Sequence, residues 1–235
     1  MKYLFAIVLF FFINQNKIDC QRIIIYSDKK FSYTLRKDSI DYVDYLKSND
    51  SAIKEIIITR LSDNKVIQKI IPEDNDFDRA GKEGFIIEDM NFDGFNDFRL
   101  CEIRGNHANA YYYWIYNPIS KKFARDTSLE QISSPYFDQK KKRIEEGWHE
   151  AGYFGQNVYK WINKKAVCIF QEQDSPIYYG DDEPNNKDED GNGRAKFRII
   201  TINKLVNGKL KEVYSRKFTE KEYEKIDSIS FPKPD

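Results

Sequence analysis

Two runs, Phe197 to Leu205 and Leu210 to Phe218, flank Asn207-Gly208, and this arrangement constrains the fold more than any other feature. An Asn-Gly pair adopts the two positive backbone angles of a tight type I′ turn, whose twist matches that of antiparallel strands. The same grammar recurs along the chain. Arg22–Tyr26 and Phe31–Leu35 flank Asp28-Lys29; Lys54–Leu61 and Lys65–Ile71 flank Ser62-Asp63-Asn64. Val158–Ile162 and Ala166–Gln171 flank Asn163-Lys164-Lys165, and Phe85–Glu88 and Phe98–Arg104 enclose a polar loop with a glycine. Tyr111–Tyr116 carries aromatics on both faces and ends at Asn117-Pro118. Runs rich in β-branched and aromatic residues fit a pleated, half-buried surface. The chain is therefore expected to be mainly β: antiparallel hairpins, propeller-like or sandwich-like, with one or two short helices. The helical candidates are Ser39–Leu46 and Thr219–Ile226, the second opened by the capping-box pair Thr219 and Glu222.

Met1–Ile13 has one lysine followed by the apolar run Leu4–Ile13, then Asn14-Gln15-Asn16-Lys17. That order describes a secretory signal peptide over residues 1–20, and the run is too short for a membrane-spanning helix. The remainder, 21–235, reads as a single β-rich domain with a long acidic loop near 174–194 and no transmembrane span. Cleavage after Cys20 leaves Gln21 first; the alternative is a lipid anchor on Cys20, although Lys17-Ile18-Asp19 is a poor lipoprotein box. An exported, periplasmic or secreted chain is expected. Export places Cys101 and Cys168 where a disulfide would persist, but both lie in apolar runs, and two separate buried thiols are the favoured reading.

Lys plus Arg and Asp plus Glu each number 38, so the formal charge is zero. A nucleic-acid partner is not expected of so balanced a chain, because phosphate binding needs a basic face. With 2 histidines, there is little material for a His-based metal or catalytic site. Glu145, Glu146, His149 and Glu150 gather around Gly147-Trp148 and could in principle do acid–base work. No nucleophile motif, phosphate loop or zinc signature accompanies them, and a charged strand face with a packed Trp148 is the simpler reading. No catalytic residue is assigned, and His107 is expected in solvent.

One segment carries distinct chemistry. Asp89-Met90-Asn91-Phe92-Asp93-Gly94-Phe95-Asn96-Asp97 sets side-chain oxygens at alternate positions, with Gly94 free to make the sharp turn. Ca²⁺ takes six to eight oxygens, and a curling loop can turn alternate residues towards one point. The expected ligands are Asp89, Asn91, Asp93, the carbonyl of Phe95, and Asp97, with Met90 and Phe92 facing the core. An EF-hand is excluded, since Leu100 stands where its bidentate glutamate belongs and the flanks are strands. The competing reading is an Asx-rich turn that holds itself together without metal. Glu73–Asp78 and Asp188–Gly193 are also acidic but read as solvated loops.

The ordered series of this loop, Tyr113-Trp114-Ile115-Tyr116-Asn117, Pro135-Tyr136-Phe137-Asp138 with Lys142-Arg143-Ile144, and Gly147-Trp148-His149 resembles a family of exported bacterial lysozyme-inhibitor-like immunity proteins with an FG-GAP/VCBS-type calcium loop. The resemblance covers about a third of the chain. It implies a β-rich, propeller-like fold, bound Ca²⁺, and inhibition of a peptidoglycan hydrolase by a loop lodged in its cleft. Asp89, Asn91, Asp93 and Asp97 match that family's metal loop. Family members often carry cysteines near the Gly-Trp-His stretch, and this chain has none there. The alternative expectation is a secreted hydrolase acting on glycans or phosphoesters; a weaker third is a surface adhesion module.

Overall fold

The structure, a computed structural model, describes residues 6–14, 17–37, 53–72, 84–104, 109–150, 152–178, 195–223 and 225. The chain gathers into two compact units, residues 1–131 and 132–235. Every described strand pairing is antiparallel, and the one described helix is a single turn.

The first unit holds two sheets. One runs, in order, β1 (Ala6–Asn14), β2 (Lys17–Ser27), β3 (Phe31–Lys37), β4 (Ile53–Arg60) and β5 (Lys65–Ile70). The other runs β6 (Phe85–Glu88), β7 (Asp97–Arg104), β8 (Asn109–Asn117) and β9 (Lys122–Arg125). Local chemistry closes the turns. Asp28 Oδ1 accepts the amides of Lys30 at 2.6 Å and Phe31 at 2.7 Å between β2 and β3. Asp63 accepts both ends of the Arg60 guanidinium, at 2.9 and 2.6 Å, between β4 and β5.

The sheets share one core, as in a sandwich. Tyr33, Leu35, Ile56 and Ile58 from the first pack with Phe85, Phe98, Leu100, Trp114 and Phe123 from the second. Phe98 stacks between Phe85 (5.2 Å) and Trp114 (5.0 Å), with Tyr33 edge-on at 5.5 Å. On β8, Tyr112, Trp114 and Tyr116 join this core, while Tyr111 lies beneath the Arg99 guanidinium at 4.6 Å, so aromatics do occupy both faces. The amide of Gln68 bonds the backbone of Phe123 in both directions, at 2.8 and 2.8 Å, and so ties β5 to β9.

The run expected to be a signal peptide is β1 here, paired along its length with β2. An apolar run of branched and aromatic residues suits a strand as well as a leader.

The second unit is one six-stranded meander: β10 (Tyr136–Asp138), β11 (Arg143–Glu150), β12 (Tyr153–Ile162), β13 (Lys165–Tyr178), β14 (Ala195–Val206) and β15 (Lys209–Thr219). Asn207 and Gly208 have φ of 52° and 77°, as the hairpin pattern requires. Val158, Phe170 and Ile202 cluster on one face of the sheet; the opposite face carries Gln171, Gln173, Thr201 and Asn203 together with Ile199, Phe197 and Lys217. The outer strand β15 is exposed along most of its length, carries Lys209, Lys211, Arg216 and Lys217, and has a bulge opposite Ile202/Asn203.

Helix α1 (Glu220–Tyr223) follows, and both the amide and the hydroxyl of Thr219 donate to Glu222 at 2.9 Å, the expected capping box. The Tyr223 hydroxyl bonds Asp174, which also accepts Arg198 Nε at 2.8 Å.

The acidic loop begins later than the sequence implied. Strand β13 continues through Asp174 to Tyr178, because burial and the Arg198 partner hold Asp174 inside the sheet. Residues 179–194, the helix expected at 39–46, His107, and the acidic runs at 73–78 and 188–193 lie outside the described residues.

Candidate metal centre

The Asp89–Asp97 segment joins β6 to β7, where the strands end and the chain must reverse. Gly94 has φ of 86°, a conformation that favours glycine. Phe92 also lies in the left-handed region, at 63°, which is costly for a bulky side chain and persists only where the surroundings over-determine it. Met90 is fully buried, as expected of an anchor, and Phe92 is half-buried.

The candidate side chains are brought into one loop, and each of the four is engaged by a nearby donor. Asp89 accepts the amides of Asp93 (3.1 Å) and Gly94 (2.8 Å); Asn91 Oδ1 also accepts Asp93 N–H at 3.1 Å. Asn91 Nδ2 donates to Asp93 Oδ2 at 2.9 Å, and Asp93 Oδ1 accepts the Phe95 amide at 2.9 Å. This is the self-bonded Asx turn. Among the described residues, no three His, Cys, Asp or Glu side chains converge as a metal-holding group. A cation would have to draw these oxygens away from the loop's own amides.

Asp97 is different. It is fully buried, accepts the Met90 amide at 2.8 Å through Oδ2, and accepts the Tyr116 amide at 2.8 Å through Oδ1. It therefore fastens the loop to β8. Burial pushes its pKa up to about 8, against the two amide bonds, and the charges of Asp93 and Asp89 add to the rise. Asp97 thus lies near enough to Asp93 and Asp89 to feel their repulsion. A divalent cation would relieve that repulsion, and carboxylate, amide and carbonyl oxygens are the hard donors Ca²⁺ takes. By donor chemistry, the set fits the ion.

Contacts from outside the loop were not legible locally. Asn96 Nδ2 donates to Asp28 Oδ2 at 3.2 Å, and the Tyr33 hydroxyl reaches the same oxygen at 3.2 Å. Lys30 Nζ sits 3.9 Å from the Phe95 ring centre, and that ring packs on Tyr116 at 5.6 Å. The β2–β3 turn is therefore a second support for the loop. A separation of 68 residues between Asp28 and Asn96 gives no short-range signal.

The acidic cluster around Gly147-Trp148 is divided by the pleat of β11. Glu145 pairs with Val158 and His149 with Phe154, whereas Glu146 pairs with Asn157 and Trp148 with Gly155. Successive side chains take opposite faces, so Glu145 and His149 are separated from Glu146 and Trp148. Glu146 is buried and accepts Ser133 N–H (2.7 Å), Asn157 Nδ2 (2.8 Å) and Tyr159 OH (2.9 Å), the saturation of a structural carboxylate. The side chain of Glu150 lies outside the described residues.

Cys101 is buried in the first unit, and Cys168 is half-buried in the second. Burial pushes the Cys168 thiol up, and its Sγ donates to the Phe170 carbonyl at 3.3 Å.

Comparison with models of known families, with curated proteins and with solved structures gives no match. No described helix is long and apolar enough to cross a membrane.

Proposed function

We propose that this chain is an exported, calcium-binding β protein that binds and inhibits a peptidoglycan hydrolase, in an immunity or lysozyme-inhibitor-like role. The observation that carries the calcium half is the loop between β6 and β7, with Asp97 buried beneath Asp89 and Asp93. Asp89, Asn91, Asp93, the Phe95 carbonyl and Asp97 would hold the ion, which supplies charge neutralisation in the loop rather than chemistry on a substrate. Binding to the folded loop and not to the unfolded chain would add folding energy, roughly 2.7 kcal/mol at a hundredfold excess over Kd. Export rests on the Met1–Ile13 pattern, and the hydrolase partner on the ordered series of segments described above.

The test has two parts. Asp93→Ala should melt earlier than the parent in calcium and should lose most of the shift that calcium confers. Equal melting of parent and variant, with and without calcium, would overturn the metal site. Separately, the chain should suppress a lysozyme-type hydrolase at near-stoichiometric ratio in calcium, and less so in chelator. Catalytic turnover by the chain itself, abolished in a folded Glu146→Ala or His149→Ala variant, would move the reading to a secreted hydrolase.

A further inference from the structure

The face of the six-stranded sheet opposite Val158, Phe170 and Ile202 carries an unusual row. Trp148 of β11 faces Gly155 of β12, Gly155 faces Gln173, Gln173 faces Thr201, and Thr201 faces Ser215 of β15. Directly paired residues on neighbouring strands share a face. Beside it runs a second row, Glu146, Asn157, Gln171, Asn203 and Glu212. Side-chain contacts link members of both: Asn157 Nδ2 donates to Glu146 at 2.8 Å, Asn203 Nδ2 to Gln171 at 3.2 Å, and the Thr201 and Ser215 hydroxyls lie 3.4 Å apart.

The indole of Trp148 lies across the backbone of Gly155. A Cβ placed on Gly155 would sit 2.3 Å from Cε2, 2.4 Å from Cζ2 and 2.6 Å from Nε1 of the ring. Glycine inside a strand weakens it and marks places where something must approach the backbone closely. Here that something is the ring itself, seated on the sheet and only half-buried. Gln171, Gln173, Thr201 and Asn203 are likewise half-buried, and Ser215 is exposed. Glu146, the carboxylate beside Trp148, is buried and already accepts three hydrogen bonds.

The Trp148 row therefore offers an aromatic plane, an amide and two hydroxyls, and none of them is charged. Amides and hydroxyls donate and accept together, as a polyhydroxylated ligand demands. An aromatic plane presents its electron-rich face to polarised C–H groups such as those on a pyranose ring. An uncharged row has little to hold an anionic polymer. With strands about 4.8 Å apart, the row extends roughly 19 Å, long enough for several sugar units. From these features we infer that this face binds a neutral glycan chain, with Trp148 as the stacking platform and Gln173 and Thr201 as hydrogen-bonding partners. The site belongs to the second unit and does not involve the calcium loop.

Calorimetric titration of the full chain with a hexamer of N-acetylglucosamine, a hexamer of β-linked glucose, and heparin as an anionic control tests it. Saturable binding of at least one neutral hexamer is expected, weakened tenfold or more by Trp148→Ala and threefold or more by Gln173→Ala. Binding of the acetylated hexamer alone would identify acetamido sugars as the class; binding of both would identify β-linked pyranose chains in general. The half-buried Gln173 position keeps the test open if Trp148→Ala fails to fold. No binding of either neutral hexamer, binding of heparin alone, or affinities unchanged in both variants would overturn the inference.

Discussion

Asp97 shows how one residue can serve packing and electrostatics at once. Its two oxygens are committed to the amides of Met90 and Tyr116, so the loop is tied to β8 by a buried carboxylate. Asp97→Ala strands both amides and should cost about 3 kcal/mol in urea denaturation, since each unsatisfied buried group costs about 1–3 kcal/mol. A loss below about 1 kcal/mol would show that the amides find other partners. Asn is no rescue, because its NH₂ group would oppose one of the two donors. The Arg99–Glu88 pair, 2.8 Å apart, makes a related case: burial pushes the Glu88 carboxyl up while Arg99 opposes the rise. Arg99→Ala leaves that carboxylate without its cation and should destabilise the first unit by about 3 kcal/mol, read by the same method.

At the scale of elements, helix α1 depends on a four-residue signature, Thr219 to Glu222. Thr219 holds Glu222, and those bonds, the backbone one first, keep the Glu222 carboxyl below its ordinary pKa. A depressed carboxyl contributes stability above its unfolded value, near 4.3, and loses it as pH falls through the lower folded value. Acidification below about pH 4 should therefore release α1, and Tyr223 with it from Asp174. The Thr219 amide resonance reports this, and a shift independent of pH would refute it.

The hairpins around Asn207-Gly208 and Ser62-Asp63-Asn64 were legible because turn chemistry is local, and so was the capping box. Strands β9 and β10 gave no sequence signal: they are 4 and 3 residues long, and only their pairing makes them strands. The far half of β13, Gln171 to Ser175, is polar residue by residue and gives no alternation to read. The Asp89–Asp97 turn was legible through the spacing of its Asp and Asn residues alone. Its support from Asp28, and the seat of Trp148 on Gly155, depend on pairings that no local window contains.

For the molecule as a whole, the Asp89–Asp97 loop belongs to the first of two compact units, and the reach of an ion bound there can be read strand by strand. Calcium should slow amide exchange in β6, β7 and β8, where Asp97 ties the loop to its neighbours, and leave β12 to β14 unchanged. Equal protection of both sets would contradict a local role for the ion. The outer strand β15 sets a different property, the behaviour of many copies in one solution. Among the described residues its outer edge has no strand partner; such an edge is where another chain's strand would grow, and its four cations and bulge stand against that growth. Mutual repulsion between cationic edges weakens once the screening length shrinks to a few ångströms, about 3 Å at 1 M salt. Concentrated stocks should consequently remain clear in dilute buffer and turn turbid as salt is added, a colloidal limit written into one strand.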